Sequence, residues 1–179
     1  MFRQLLAATA FTAVIAAPAA AELQPGEMAP DFTIEGFQAG EPVSFHLTEA
    51  LENGPVVLFF FPAAFTSGCE AQAASFAESI AEFEALGAQV IGVTAGNIDR
   101  LADFSTQHCA SAFPVFAVSD GMIGDYEAGL LVRPGWTSRT TYVIDTDQTI
   151  ALTYSEMSPY EHVDRSLAAL REMQDAPAE

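Results

Sequence analysis

The feature that most constrains this chain is the run Val56-Val57-Leu58-Phe59-Phe60-Phe61, closed by Pro62. A strand with one wet face alternates apolar and polar residues. An unbroken apolar run reads instead as a strand buried on both faces. Such a strand needs covering layers above and below it, which points to an α/β domain. Pro62 stops the strand, and a helix follows the loop. Phe76, Ile80, Phe83 and Leu86 recur at helical spacing, and Gly87 supplies its stop.

The rest of the pattern is built around that strand. Residues 25–31 are turn-rich and open the domain, and Phe32–Ile34 with Val43–Phe45 read as an early hairpin around Gly36 and Gly40. Val90–Val93 is a second buried strand. Ile98, Leu101, Ala102 and Ser105 suggest a helix ending near Cys109, and Phe113–Val118 is a third strand interrupted by Pro114. Thr140–Ile144 and Ile150–Tyr154 flank a four-residue turn, and Val163, Leu167 and Leu170 mark a closing helix. The order strand-helix-strand-helix-strand, then hairpin and helix, predicts an α/β domain of thioredoxin-like fold. Its mixed central sheet carries helices on both faces and an N-terminal β-hairpin extension.

The N-terminus reads as a leader. Arg3 precedes an apolar stretch from Leu5 to Ala17, and Ala19-Ala20-Ala21 forms a small-residue cleavage site before Glu22. The expected domains are therefore a secretory signal peptide over 1–21 and one folded domain over 22–179. No twin-arginine motif is present, so export of the Sec type is expected, and in a Gram-negative cell the destination is the periplasm. No later stretch is apolar enough to span a membrane, so no stable membrane association is expected after cleavage. The chain carries 24 acidic and six basic residues, for a net charge of −18, and every basic residue is Arg. A nucleic-acid partner is excluded, because no large basic patch can be built to neutralise phosphates.

The chemistry concentrates in Pro62-Ala63-Ala64-Phe65-Thr66-Ser67-Gly68-Cys69. This loop leaves the carboxyl end of the buried strand, where ligands bind in open α/β sheets. It delivers Cys69 to the start of a helix, whose free N–H groups and partial positive charge stabilise a thiolate. Thr66, three residues earlier, can direct its hydroxyl to the same place. A structural cysteine is the alternative reading of Cys69 from the residues alone.

The segment P-x-x-x-T-x-x-C resembles the active-site signature of the peroxiredoxin family. Three further landmarks occur in that family's order: Gly26 with Ala29-Pro30-Asp31-Phe32, then Phe113-Pro114-Val115 with Ser119-Asp120, then Arg139-Thr140-Thr141-Tyr142-Val143-Ile144-Asp145. The chain is similar above all to Q-type, bacterioferritin-comigratory-like members. The resemblance implies a thiol peroxidase that reduces hydrogen peroxide and alkyl hydroperoxides and needs no cofactor. It implies Cys69 as nucleophile, Thr66 as hydrogen-bond partner of thiolate or peroxide, and Arg139 as the cation that stabilises the thiolate and holds the peroxide oxygens. Pro62 would shield the sulfur, and the Cys69 N–H would add a donor. Where many members carry Glu three residues after the nucleophile, this chain has Gln72, and Glu70 puts an anion directly beside the cysteine.

The same resemblance bears on the only other cysteine. Q-type members often place a resolving Cys five residues after the nucleophile, where this chain has Ala74; some relatives use a Cys in the later helix, about where Cys109 falls. An intramolecular Cys69–Cys109 disulfide is therefore expected, regenerated by a thioredoxin-like or glutaredoxin-like dithiol. Two cysteines on separate helices do not start within bonding distance, so local unwinding is required. A buried, unreactive Cys109 and a permanent structural disulfide stay open as alternatives. So do a peroxidase using Cys69 alone and an exported binding module that keeps the fold without the chemistry. His108 is expected to point to solvent, Trp136 to pack at the core or its rim, and the molecule to be a monomer or homodimer. The three histidines show no metal spacing, no C-x-x-C pair suggests a disulfide oxidoreductase, and no phosphate-binding glycine motif occurs.

Overall fold

A computed structural model describes residues 22–175. The leader read over residues 1–21 lies outside them, and no helix among the described residues is long and apolar enough to cross a membrane. The elements run β1 (Thr33–Gln38), β2 (Glu41–His46), α1 (Leu47–Leu51), β3 (Val56–Phe60), α2 (Ser67–Glu78) and α3 (Ile80–Ala85). They continue with β4 (Gln89–Thr94), a 3-10 turn (Ile98–Arg100), α4 (Leu101–Gln107), β5 (Val115–Ala117), α5 (Asp120–Asp125), β6 (Thr140–Ile144), β7 (Ile150–Ser155) and α6 (His162–Asp175).

The strands form one mixed seven-stranded sheet, ordered β2-β1-β5-β4-β3-β6-β7. The pairs β3–β4 and β4–β5 are parallel; the other pairs are antiparallel. Every residue of β3 is buried, as its apolar run requires. The pleat sends Val57 and Phe59 to one face, with α2, α3, α4 and α6. Val56, Leu58 and Phe60 go to the other face, with α1 and α5. Aromatic packing locks the first layer: Phe59 stacks on Phe76 with centroids 4.3 Å apart and meets Phe113 edge-on at 5.6 Å.

The hairpin β1–β2 turns through Ala39 and Gly40, both left-handed at φ 52° and 82°, as a two-residue loop between twisted strands requires. Gly36 is obligatory for another reason: a Cβ there would sit 2.2 Å from the Val115 carbonyl oxygen, where β1 crosses β5.

Three local expectations are corrected. The helix expected through Leu86 is two helices, broken at Ser79 (φ −99°, ψ 3°). The break lets Phe83 fold back on Phe76, with centroids 5.7 Å apart. The strand expected over 113–118 is a ladder of only Val115–Ala117. Pro114 has no N–H to donate and contributes only its carbonyl, which accepts from Gly92 at 3.1 Å. The short helices α1 and α5 were not foreseen, because five or six residues are too few to display a helical period.

Candidate active site

The loop from Pro62 to Thr66 is fastened to the neighbouring β4 end. The Ala64 N–H donates to the Gly96 carbonyl at 3.0 Å, and Asn97 Nδ2 donates to the Ala64 carbonyl at 2.7 Å. A Cβ on Gly96 would meet the Pro62 oxygen and Ala63 Cβ at 2.5 Å, so only glycine lets the two segments touch. From the other side, Thr137 Oγ1 donates to the Phe61 carbonyl at 2.6 Å. Phe65 is left-handed at φ 57°, a conformation that disfavours a large side chain. Its ring is held between Arg100, 4.0 Å above, and the edge-on rings of Phe104 and His108.

Thr66 caps α2 with its backbone, accepting from the Cys69 and Glu70 N–H groups at 2.9 Å each. Its hydroxyl donates to the Ala63 carbonyl at 3.0 Å. Neither the Thr66 hydroxyl proton nor the Cys69 N–H is therefore free in this state. Cys69 is the third residue of α2, 1% exposed and free.

Arg139 reaches it from the residue before β6. Nη2 lies 3.5 Å from Cys69 Sγ, Nε donates to the Met157 carbonyl at 3.0 Å, and Nη1 donates to the Gly68 carbonyl and to Gln72 Oε1. The guanidinium is 4% exposed. Among the described residues no carboxylate pairs with it, so the anion it faces is the one Cys69 can supply. Gln72 fills the place of the family's Glu with a neutral amide, and its Nε2 is buried without a partner. The structure thus brings Thr66, Cys69 and Arg139 into one place, with Pro62 at the head of the same loop.

Cys109 also lies in this layer, free and fully buried, in the turn just after α4. Burial pushes its thiol far above the ordinary cysteine range. The two residues after it, Ala110 and Ser111, are both left-handed, at φ 48° and 61°. His108 does not simply face solvent as expected. It packs against Phe104 and Phe65, and its Nε2 lies 3.4 Å from Glu70 Oε1. The residue beside one cysteine thus contacts the residue beside the other. Trp136 is a rim aromatic, covered by the Arg133 guanidinium 3.2 Å above it.

Sequence reasoning missed Gly68, the Met157 carbonyl and His162. A Cβ on Gly68 would sit 3.0 Å from Arg139 Nη2, so this glycine keeps the guanidinium close to the helix start. The signal for it, a glycine immediately before the cysteine, was present. A backbone carbonyl leaves no signal at all.

A buried cysteine at a helix start, faced by an arginine on a thioredoxin-like sheet, defines a thiol-dependent redox enzyme. Residues 25–153 match the AhpC/TSA family model. The chloroplast peroxiredoxin Q of Arabidopsis thaliana is 35% identical over 165 residues, which cover 84% of this chain and 68% of the relative. The crystal structure of peroxidoxin BcpB from Mycobacterium tuberculosis aligns at TM-score 0.73 and 32% identity, over 84% of this chain and 98% of that one. Mycobacterium tuberculosis AhpC, 21% identical, shares the fold at TM-score 0.71 over 86% of this chain and 94% of its own. The chain belongs to the AhpC/TSA family and is a peroxiredoxin, a thiol peroxidase of the oxidoreductase class.

Proposed function

We propose that the chain reduces hydrogen peroxide and alkyl hydroperoxides through Cys69, with Arg139, Thr66 and Pro62 completing the site. The observation that carries this reading is Arg139 Nη2 at 3.5 Å from a buried Sγ, with no competing carboxylate among the described residues. The Cys69 thiolate attacks one peroxide oxygen and the O–O bond breaks. The electron pair leaves on hydroxide or alkoxide, which takes a proton, and Cys69 becomes a sulfenic acid. Arg139 follows the negative charge from sulfur to the departing oxygen. Thr66, whose proton is committed to Ala63, keeps its oxygen lone pairs to accept from the peroxide O–H. Pro62 walls the sulfur from water.

Cys109 then attacks the sulfenic sulfur, forming the disulfide and releasing water, and a thioredoxin-like or glutaredoxin-like dithiol reduces it. Cys109 must leave the core to do this. Its place at a helix end, followed by two left-handed residues, supports such local opening. Its burial and raised thiol favour a second reading, in which Cys69 works alone.

One experiment separates the readings: a single equivalent of hydrogen peroxide on reduced protein, with thiol counting and non-reducing mass analysis. Loss of both thiols and two hydrogens supports Cys109 as resolver. Loss of one thiol with gain of one oxygen supports Cys69 alone, and two surviving thiols defeat the peroxidase assignment of Cys69. Cys109→Ser should retain the first oxidation and lose turnover with dithiols. We also propose export through a cleaved leader over residues 1–21, tested by whether the secreted chain begins at Glu22.

A further inference from the structure

We propose that His162 is the positioning residue for Arg139: its buried imidazole clamps the carbonyls on either side of Met157, which fixes the Met157 carbonyl against the guanidinium, and protonation of the ring disturbs its seat on Thr141 of β6. The inference rests on the reading of Arg139 given above.

His162 opens α6 and is 0% exposed. Its Nε2 lies 3.0 Å from the Glu156 carbonyl and 3.1 Å from the Ser158 carbonyl. Both are acceptors only, so Nε2 carries the proton. Nδ1 lies 2.8 Å from Thr141 Oγ1 and accepts from that hydroxyl. Every polar atom of the ring is used, and the tautomer follows from its partners.

The two clamped carbonyls flank Met157, whose own carbonyl accepts from Arg139 Nε at 3.0 Å. The Met157 side chain is 53% exposed and cannot anchor the segment itself. Residues 156–161 belong to no helix or strand. Other bonds tie the segment as well: the Glu156 N–H donates to the Arg139 carbonyl at 3.1 Å, the His162 N–H to the Tyr160 carbonyl at 2.7 Å, and Arg165 donates to Glu161 through its N–H at 2.9 Å and its guanidinium. Among the described residues the imidazole is thus the one side chain that holds the Glu156 and Ser158 carbonyls together around the carbonyl that aims Arg139. Thr141 lies in β6, two residues after Arg139, so one imidazole braces both β6 and the loop.

A second proton would have to enter at Nδ1. The Thr141 hydroxyl would then turn from donor to acceptor and lose its own partner. The new charge would be buried near the Arg139 cation. The surrounding charged and titratable groups are Arg139 before β6, Tyr154 on β7 with its ring 4.8 Å away, and Glu161, Asp164 and Arg165 at the start of α6. Glu78 of α2 faces the same cleft as Glu161 and Asp164. None of these hydrogen-bonds the imidazole, so no carboxylate offsets the added charge. Burial, aided by the Arg139 charge, accordingly holds His162 below the ordinary value of 6.5, against the pull of the two carbonyls. The neutral Nδ1 that accepts from Thr141 is fully present above 6.5 and is lost as pH falls through the folded-state value, while the Nε2–H bonds to the two carbonyls remain.

The test measures the second-order rate of hydrogen peroxide with the reduced wild type, His162→Ala and His162→Gln across the acid range. We expect His162→Ala to lose about tenfold to a hundredfold at neutral pH, because the guanidinium is no longer aimed. His162→Gln keeps an N–H donor and should recover most of that loss. The acid limb of the wild-type rate should be steeper than that of His162→Gln by one protonation, that of His162. A folded His162→Ala that keeps the wild-type rate overturns the proposal. So does an acid limb of equal steepness in wild type and His162→Gln. Should His162→Ala fail to fold, the His162→Gln profile decides alone. Arg139→Met is the separate control: if it keeps the wild-type rate, the role assigned to Arg139 fails, whatever His162 does.

Discussion

Replacing Gln72 by Glu puts a carboxylate on Arg139 with almost no change in shape. The amide oxygen already accepts from Nη1, so an ionised Glu oxygen takes the same place. In the wild type no carboxylate among the described residues pairs with Arg139, and Cys69 Sγ lies 3.5 Å from its Nη2. The variant places a like charge on the far side of the guanidinium, and such a charge about 6 Å from a thiolate costs about 3 kcal/mol at an effective dielectric of about 20. That corresponds to about two pH units of displacement. The pH–rate profile for peroxide should therefore move to higher pH by up to that amount, with the high-pH plateau kept. Stopped-flow oxidation of the reduced protein measures this directly, with thermal melting to confirm the fold. A profile that stays in place, or moves to lower pH, would refute the claim that Arg139 is reserved for the thiolate.

Two further outcomes are expected. Gly68→Ala should leave the fold intact and slow the peroxide reaction several-fold, because the new Cβ would sit 3.0 Å from Arg139 Nη2 and push the guanidinium off its place; kinetics beside a melting curve check it. His46 contacts Asp31 at 3.0 Å, and that contact, then Glu49, raises it above the ordinary value of 6.5. Its stabilising contribution is complete below 6.5 and disappears as pH rises through the folded value. Asp31→Asn should bring the His46 titration in an NMR experiment back toward 6.5 and flatten that part of the stability profile.

The parts of the fold that were legible were those with a strong local cause. The continuous run in β3 announced a strand with two neighbouring layers; Cys69 and Thr66 stood out by their place at a helix start, while Pro62 and Arg139 were singled out only through the resemblance to the peroxiredoxin family. The break at Ser79 was hidden, because Phe76, Ile80, Phe83 and Leu86 fit a single helix as well as two. Pro114 signalled interruption, but only the ladder with β4 shows that its carbonyl still takes part. Asp31 was seen as part of a motif, yet its work is tertiary: it accepts from the Thr48 N–H at 3.2 Å and receives His46. His162 carried no spacing signal, since its partners are carbonyls of a loop that any residues could supply.

The turn after Cys109 has a consequence for how often that cysteine meets solvent. Ala110 and Ser111 hold left-handed backbone without being glycine, at about 1 kcal/mol each. An opened segment recovers that energy, so its transient population is about thirtyfold larger than a relaxed turn would allow. Glycine at both positions would make the closed form firmer and Cys109 correspondingly rarer in the open one. In the proposed opening, the residues of this turn would thus set how often a deeply buried thiol becomes available, through backbone energy alone.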